Sequence, residues 1–404
     1  MLTERLDLRT GDTPWDDATW NMPAADDLPR SGCDVAIVGS GITGAILAER
    51  LSADGHSVVV LDRRSPGLGS TAASTAQIMW AMDVPLSELA DRLGEAEATR
   101  RWTRVHEAVA RFGERLDRLQ IDSGRLACPT VYLEGPELDA AGLEREAALH
   151  GRNGLPSRFL DARATAERFD IEPRASIVSA DGFALDPVKT CRGLLERARQ
   201  RGAVLCYPQN VASIARTSAG ACVSLEGGAE IVARHVVLAT GYEKAELFLP
   251  PAFKLISTFV IATAPGVAPL WRENAMIWEA ADPYLYVRAD ADGRIIAGGE
   301  DEDLCDPLRR DELLPTKAGL ITAKLQALLG GHEITVDRTW AATFGTSPDG
   351  LPAIGKAANM ENVWLAAGFG GNGIAFSALA SELLSAALGG KRDPDEACFD
   401  PYRF

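Results

Sequence analysis

The chain has 404 residues, of which 46% are hydrophobic and 24% are charged, and its mean hydropathy is −0.04. These values exclude a disordered chain, a collagen and a small disulfide-rich protein, and the length predicts two or three compact units. The 57 Asp and Glu residues outnumber the 41 Lys and Arg residues, so the net charge of −16 argues against broad binding of nucleic acid or of an anionic membrane.

Seven scattered cysteines without a C-x-x-C motif predict neither a zinc site nor a disulfide framework, and free thiols suit a reducing cytosol. The opening residues MLTERLDLRT lack the apolar core of a secretory signal. The chain also contains no apolar stretch of about 18–20 residues, the length that spans a bilayer. We therefore expect a cytoplasmic protein that binds no metal and has no integral membrane segment.

Residues 1–31 are polar, and we interpret them as an N-terminal arm that packs Trp15 and Trp20 on the body of the protein. The segment that follows is the most informative. Val35–Val38 predicts a buried strand, Ala45–Ala53 a helix, and Val58–Leu61 a second strand. A strand, a glycine turn, a helix and another strand thus follow one another directly.

Further helices and strands are predicted along the rest of the chain. Apolar residues at three- and four-residue spacing predict a helical region over 86–119, broken near Gly94, and other helices over 188–201, 311–330 and 376–388. Apolar or alternating runs predict strands at 204–206, 236–241, 257–263, 276–279, 284–288, 294–298 and 363–368. The pair Asp292-Gly293, between two of these strands, is typical of a hairpin turn.

The turn Gly39-Ser-Gly41-Ile-Thr-Gly44 predicts a dinucleotide site. Gly39 allows a tight turn, Gly41 lets the backbone approach a pyrophosphate, and Gly44 lets the helix pack on its strand. The helix N-terminus then offers N–H groups and the positive end of its dipole to the phosphates. Asp62 ends the second strand, where it can accept both ribose hydroxyls of an adenosine. The alternative is a glycine-rich turn without a ligand, which the flanking strands and this acid disfavour.

Two later segments favour FAD over NAD. Gly69–Gln77 supplies small residues and hydroxyls that suit a ribityl chain and a pyrophosphate. Gly368–Gly373 opens another helix, whose N-terminus can face the pyrimidine oxygens of a flavin. Glycine runs are often simple loops, so the prediction depends on the combination of the three segments.

These motifs resemble the D-amino-acid oxidase (DAO) superfamily of FAD-dependent amine and amino-acid oxidoreductases, near the bacterial gamma-glutamylputrescine and glycine oxidases. The resemblance covers roughly residues 30–395 and rests on DVAIVGSGITGAILAERL, LDRR, GSTAASTAQI, DGFALDPVK, VVLATGY, DGRIIAGGED, SPDGLPAIG and GFGGNGIAFS. It implies a mixed α/β fold in which a Rossmann-like FAD-binding domain is interleaved with a substrate domain on a large, mainly antiparallel sheet.

The resemblance also implies domain boundaries and cofactor contacts. We expect an arm (1–31), a discontinuous FAD-binding domain (32–85, 155–250 and 338–395), a substrate domain (86–154 and 251–337) and a tail (396–404). The positions that match the family's FAD contacts are Gly39, Ser40, Gly41, Thr43, Gly44, Asp62, Arg63, Arg64, Ser70, Thr71, Ser74, Thr75, Ala76, Val211, Thr240, Gly241, Gly371, Asn372, Gly373 and Ile374.

Departures from the family pattern bear on the reaction. Ala342 stands where some relatives attach flavin to a cysteine, and Ser70–Gln77 lacks the histidine that others use, so we expect noncovalent FAD. Ala375 and Ile296 replace two lysines of sarcosine oxidases, one for the substrate carboxylate and one that activates oxygen. An oxidase of simple N-methyl amino acids is therefore disfavoured. The second replacement also hints at a dehydrogenase that reacts slowly with oxygen.

The hairpin that matches the family's substrate-facing sheet carries Tyr284, Tyr286 and Arg288 on one face, because strand side chains repeat every two residues. Arg288 can pair bidentately with a carboxylate. Trp80 and Trp278 are predicted to wall an apolar cavity, and Phe344 stands where relatives carry an aromatic hydroxyl. The alternative is that the tyrosines are ordinary sheet aromatics and that Arg288 is a surface charge.

The acidic run Glu300–Asp303 is interpreted as a solvated loop, with attraction of a cationic amine as the alternative. No histidine falls in the matched motifs, and no catalytic side chain is assigned. The sequence predicts oxidation of a C–N bond in an amine or amino acid by hydride transfer to flavin N5, with oxygen or another acceptor taking the electrons. The alternatives are a 2-hydroxy-acid dehydrogenase or biosynthetic oxidase on the same fold, and a flavin-binding regulatory module without turnover.

Overall fold

The structure is a computed structural model that describes residues 8–15, 25–243 and 249–404. Trp20, which the arm was expected to pack on the body, lies outside these residues. The strands, in chain order, are β1 (Arg9–Gly11), β2 (Cys33–Val38), β3 (Val58–Leu61), β4 (Gln77–Ile78), β5 (Leu126–Leu133), β6 (Ser157–Leu160), β7 (Ser176–Ala184), β8 (Val204–Cys206), β9 (Val211–Thr217), β10 (Gly220–Leu225), β11 (Glu230–Leu238), β12 (Lys254–Thr263), β13 (Met276–Glu279), β14 (Leu285–Ala289), β15 (Ile295–Glu302), β16 (Val336–Thr346), β17 (Ala353–Lys356) and β18 (Val363–Ala367).

The helices occupy the segments that the apolar spacing predicts, together with three that it did not. They are α1 (Ile42–Ala53), α2 (Ser70–Ala73), α3 (Leu86–Leu93), α4 (Glu95–Leu119), α5 (Ala140–Arg152), α6 (Ala162–Phe169), α7 (Pro187–Gln200), α8 (Pro307–Leu328) and α9 (Gly373–Leu388). The predicted break near Gly94 is present, because this glycine has a φ of 85° between α3 and α4. None of the described helices combines the length and apolar character needed to cross a bilayer.

A mixed sheet with a parallel centre forms the Rossmann-like layer. Its strands follow the order β17-β18-β11-β2-β3-β8, with β10 paired antiparallel to β11 and β9 paired antiparallel to β10. The pairs β18–β11, β11–β2, β2–β3 and β3–β8 are all parallel. The short apolar runs of β2 and β3 are buried because helices α1, α7 and α9 cover this sheet. This order places the end of β2 and the start of α1 in the middle of the sheet.

The second sheet is larger and mainly antiparallel. Its order is β1-β16-β12-β15-β14-β13-β5-β7-β4, with β6 on β7. The β13–β5 pair is parallel, and the other pairs in this sheet are antiparallel. The expected mixed α/β fold with a large, mainly antiparallel sheet is confirmed.

The domain boundaries given above remain a prediction. The structure places β4, β6, β7 and β16 in the larger sheet, although β4, β6, β7 and all but the first two residues of β16 fall within ranges assigned to the FAD-binding domain. β7 was not predicted as a strand, because its sequence contains Asp181 with a φ of 67° and pairs with β5 through an irregular register. The alternation that would reveal the strand is therefore interrupted.

The N-terminal segment is joined to the larger sheet by pairing and by a buried tryptophan. β1 pairs antiparallel with β16, which comes more than 300 residues later in the chain. Trp15 is 5% exposed, and its indole Nε1 donates to the carbonyl of Ser74 at 3.0 Å. The expected packing of Trp15 on the body of the protein is thus what the structure shows.

Replacing Trp15 by alanine should lower the free energy of unfolding by about 3–5 kcal/mol, because a buried aromatic and its hydrogen bond are lost together. Denaturant unfolding of the holoenzyme measures this change. The control is Leu308→Ala on α8, where the side chain is 75% exposed and a change within about 0.5 kcal/mol is expected. Equal effects of the two substitutions would contradict a structural role for Trp15.

Candidate active site

An elongated cavity extends from the glycine turn after β2 to strands of the larger sheet. Among the predicted cofactor contacts, all line this cavity except Ser40 and Gly44. Ser40 is buried beside the cavity, and Gly44 lies behind the turn. The structure therefore brings together residues that are spread from position 39 to position 374 of the sequence.

The glycine turn has the geometry that its sequence predicts. Gly39 has a φ of 115°, and a Cβ there would overlap the carbonyl oxygen of Ala239. A Cβ on Gly44 would overlap the carbonyl oxygen of Gly39, so the helix can pack this closely only with glycine. Gly41 is the N-cap of α1 and lines the cavity without a side chain. The first turn of α1 thus faces the cavity, which suits a phosphate.

The end of β3 is organised by two carboxylates. Asp62 Oδ2 accepts hydrogen bonds from Ser40 N at 2.6 Å and from Ser40 Oγ at 2.8 Å, while Oδ1 accepts from Arg64 N at 2.8 Å. Glu243 is 4% exposed and pairs with the guanidinium groups of Arg63 and Arg64. Asp62 is therefore held by the turn itself, and both arginines are tied to the segment after β11.

Glu243 is a lining residue that the sequence analysis missed. Its only signal was an acid placed shortly after Thr240-Gly241, and nothing in the sequence showed that it faces Arg63 and Arg64 across the fold.

The segment 70–76 lines the cavity and is held from behind by three buried side chains. Trp340 Nε1 donates to the carbonyl of Ala73 at 2.9 Å, and Trp15 Nε1 donates to the next carbonyl, that of Ser74, at 3.0 Å. The guanidinium of Arg288 donates to the carbonyl after that, Thr75. Three consecutive carbonyls are therefore fixed, each by a side chain from a different part of the chain.

The placement of Arg288 corrects its predicted role. Its guanidinium also donates to the carbonyls of Leu185 at 3.0 Å and Ala289 at 3.2 Å, and its face lies over the Trp15 ring. The residue is 1% exposed and does not line the cavity, and burial lowers the pKa of Arg288 to about 10. Arg288 shares the strand face of Tyr286, but it reaches the backbone behind the cavity rather than a carboxylate within it.

The far wall of the cavity is aromatic. Trp278, Tyr284, Tyr286 and Phe344 line it, as predicted, and Trp278 stacks on Tyr132 with ring centroids 4.9 Å apart. Tyr286 lies across Gly298, where a Cβ would overlap its phenol ring. The larger sheet can therefore present a flat ring at this position only because the opposite residue is glycine.

Trp80 does not belong to this wall, which corrects its prediction. Its indole is 1% exposed, donates to the carbonyl of Ala180 at 2.8 Å and packs against Trp102, His106 and His150. Its ring packs against α4 and α5, within the hydrophobic cluster that also covers β2 and β3. The sequence indicates that this tryptophan is buried, but it does not show whether the ring faces the cavity or the helices.

Asp83 joins two segments of the cavity wall and was also missed. Its carboxylate accepts from the amide N of Gly371 at 3.2 Å and from Asn372 Nδ2 at 3.1 Å, so it holds the late glycine loop against the segment 77–83. Desolvation raises the pKa of Asp83 from its ordinary value. Other lining residues without a sequence signal include Met79, Met82, Gln209 and Thr258.

The donor set fits FAD. The glycine turn and α1 form a cradle for a pyrophosphate at one end, and the loop Gly370–Asn372 before α9 forms a second backbone surface at the other. Between them, Gln77 lines the cavity with an amide whose oxygen and nitrogen are buried and have no hydrogen-bond partner among the described residues. A cofactor with polar groups along its length would suit this lining.

The fold and this cavity define a dinucleotide-binding protein. The family model for FAD-dependent oxidoreductases of the DAO type matches residues 34–387, and the chain belongs to this family. The identification made from the sequence motifs is thereby confirmed, and the protein is an FAD-dependent enzyme.

Relatives of known name share the architecture at low identity. The chain is 22% identical to the probable oxidoreductase OrdL of Haemophilus influenzae over 88% of its own length and 82% of the relative. It is 25% identical to a glycine oxidase of Bacillus licheniformis over 88% and 93% of the two chains. The crystal structure of L-proline dehydrogenase from P. horikoshii superposes with a TM-score of 0.75 at 20% identity, covering 93% of this chain and 98% of the other.

Gly41→Val should abolish FAD retention, because a branched side chain at the N-cap of α1 would fill the cavity in front of the helix N-terminus. We expect a purified chain with at least about 100-fold weaker FAD binding and a largely unchanged fold. Bound FAD per chain and circular dichroism check this. The matched control is Gly151→Ala in α5, where an added Cβ meets no atom within 4 Å and FAD content should stay the same.

Arg288→Met tests the structural role of the guanidinium. The substitution leaves the carbonyls of Thr75 and Leu185 without their donor, so the free energy of unfolding should fall by about 1–3 kcal/mol. Because Arg288 does not line the cavity, KM should change by the same factor for substrates with and without a carboxylate. A selective increase in KM for carboxylate substrates would restore the original assignment.

Proposed function

We propose that the protein oxidises the C–N bond of an amine or amino acid to an imine, which water then hydrolyses. The observation that carries this proposal is the continuity of the cavity, which joins the glycine turn to the wall formed by Trp278, Tyr284 and Tyr286. The names of two relatives, glycine oxidase and L-proline dehydrogenase, support an amino-acid or amine substrate.

Residues 39–44, 70–76 and 371–374 would hold FAD, which supplies the two-electron acceptor when it is bound. The task left to the chain is to place the substrate carbon within reach of that acceptor, a positioning effect that contributes a large part of the barrier reduction in such reactions. Trp278, Tyr284 and Tyr286 would perform it, since their rings line the far end of the cavity and are themselves fixed by Tyr132 and Gly298.

Noncovalent attachment of FAD is part of the proposal. Neither cysteine nor histidine occurs among the described residues that line the cavity. Ala342 lines the cavity where some relatives carry the attaching cysteine. Release of the intact yellow cofactor on denaturation of the protein would support this part, and retention of colour on the unfolded chain would overturn it.

Slow reaction with oxygen is also proposed. Ile296 is fully buried beside Val260 and Trp340 and does not line the cavity, and no lysine lines it among the described residues. An acceptor other than oxygen would then take the electrons. Hydrogen peroxide formed at the rate of substrate loss would contradict this.

The reaction class is tested by mixing the holoenzyme anaerobically with glycine, D- and L-amino acids, plain amines and 2-hydroxy acids, and by following the loss of the flavin's visible absorbance. We expect at least one amine or amino acid to bleach the flavin within seconds, with one carbonyl product formed per cofactor. Bleaching by 2-hydroxy acids alone would favour a 2-hydroxy-acid dehydrogenase. No bleaching by any compound, with FAD firmly bound, would favour a regulatory flavoprotein.

A further inference from the structure

The strand β15 contains a bulge at the edge of the candidate substrate site. Phe259 of β12 pairs with Gly299, but Ser257 pairs with Glu302, so β15 carries one extra residue between these two pairs. Glu300 takes a φ of 55° within it. A bulge of this kind changes the direction in which side chains point, and bulges are common beside active sites.

Because of the bulge, the side chains of the acidic run 300–303 lie on both faces of the sheet. Glu300 and Glu302 pair with Lys324 and Lys317 of α8, each at 2.6 Å. Asp301 instead points to the opposite face, which carries Tyr284, Tyr286 and Thr258. The expected solvated loop is therefore corrected for residues 300–302, because they end β15 and Glu300 is buried, while Asp303 is exposed.

The Asp301 carboxyl lies directly behind the cavity wall. Its neighbours are the hydroxyls of Thr258 and Tyr284, and both of these residues line the cavity. Asp301 Oδ1 and Thr258 Oγ1 are buried, yet neither has a well-formed hydrogen bond to a described residue. Buried polar atoms without partners are costly, and a ligand in the cavity could supply the missing hydrogen bonds through the lining hydroxyls.

The charges around Asp301 are mostly negative on its own face. Asp83 and Asp282 are its charged neighbours, whereas the lysines of α8 are engaged by Glu300 and Glu302 on the other face. Burial, with these two acids, raises the pKa of Asp301 to about 6. The phenol of Tyr284 is held neutral, because burial and the nearby carboxylates raise the pKa of Tyr284 well above its ordinary value.

An amine reaches the enzyme as an ammonium ion, whose nitrogen has no free electron pair. Oxidation of the C–N bond needs that pair, since it forms the second bond of the imine as hydride leaves carbon. One N–H bond of the ammonium must therefore break first, and the proton needs an acceptor near the aromatic wall.

We propose that Asp301, acting through the hydroxyls of Thr258 and Tyr284, takes up the proton that the substrate ammonium loses before its C–N bond is oxidised. The N–H electron pair stays on nitrogen, the carboxylate becomes a carboxylic acid, and the charge of the ammonium is cancelled. The inference rests on the proposed function. It names Asp301 as a proton-holding positioning residue and a protonated amine as the form in which substrate binds.

The pH dependence follows from the raised pKa. Asp301 is ionised above about pH 6 and can accept a proton there, and below that pH it is already protonated. kcat/KM of the wild-type holoenzyme should therefore fall about tenfold per pH unit below pH 6. A flat profile between pH 5 and 7 would overturn the inference, whatever the variants do.

Asp301→Asn keeps the shape of the side chain and removes the proton acceptor. With the panel amine that bleaches the flavin fastest, kcat/KM at pH 7 should fall about 100-fold, and the acid limb near pH 6 should disappear. Asp301→Glu should restore the limb. The control is Asp303→Asn, which removes an exposed carboxylate of the same run. Its kcat/KM at pH 7 and the decrease of kcat/KM below pH 6 should equal those of the wild type. An unchanged limb in Asp301→Asn would overturn the inference.

Proton balance on binding gives a readout independent of turnover. The same amine is titrated calorimetrically into holoenzyme reduced beforehand with dithionite, in two buffers of different ionisation enthalpy. The wild type should release no proton at pH 7, because the bound amine and Asp301 hold it between them. Asp301→Asn has no carboxylate to balance a buried ammonium, so it should bind the neutral amine and release about one proton per amine bound. Equal proton release by both proteins would overturn the inference. If no amine or amino acid bleaches the flavin at all, the proposed function fails instead.

Discussion

Three consecutive carbonyls, those of Ala73, Ser74 and Thr75, determine how the cavity wall is built. Each accepts a hydrogen bond from a buried side chain: Trp340 of β16, Trp15 of the N-terminal segment and Arg288 of β14. Ala73 ends the short helix α2, and Ser74 and Thr75 lie between this helix and β4, so their conformation depends on these donors rather than on a ladder of their own. The larger sheet thereby sets the shape of a wall that begins in the Rossmann-like layer.

The parts of the fold that the sequence predicts are those with local signals. The runs of β2 and β3, the glycines between them and the break at Gly94 each act within a few residues, so their patterns can be recognised without tertiary contacts. Long-range relations were not predictable from the residues. Trp80 and Trp15 are both buried tryptophans, yet one packs in a helical core and the other beneath the cavity wall, and no local pattern distinguishes them.

The same limit explains the site residues. Asp62 was found because it ends a strand at a characteristic distance from the glycine turn, whereas Glu243 and Asp83 matter through partners far away in the chain. The sequence predicts the strand face of Arg288 correctly. That face extends beyond the cavity, however, and the guanidinium lies there, where it donates to backbone carbonyls. In β15, side chains can be assigned to a face of the sheet only if they alternate every two residues, and the bulge at Glu300 interrupts that alternation.

Pairing of β1 with β16 gives the cavity a particular order of assembly during synthesis. β1 is made more than 300 residues before β16, so the two strands can pair only after β16 has been synthesised, and the loop that their pairing closes is long. Such distant contacts form late, because their closure entropy is large. Trp340 belongs to the same late strand, so the carbonyl of Ala73 receives its donor, and the wall that faces the prosthetic group its final shape, only after β16 has been synthesised.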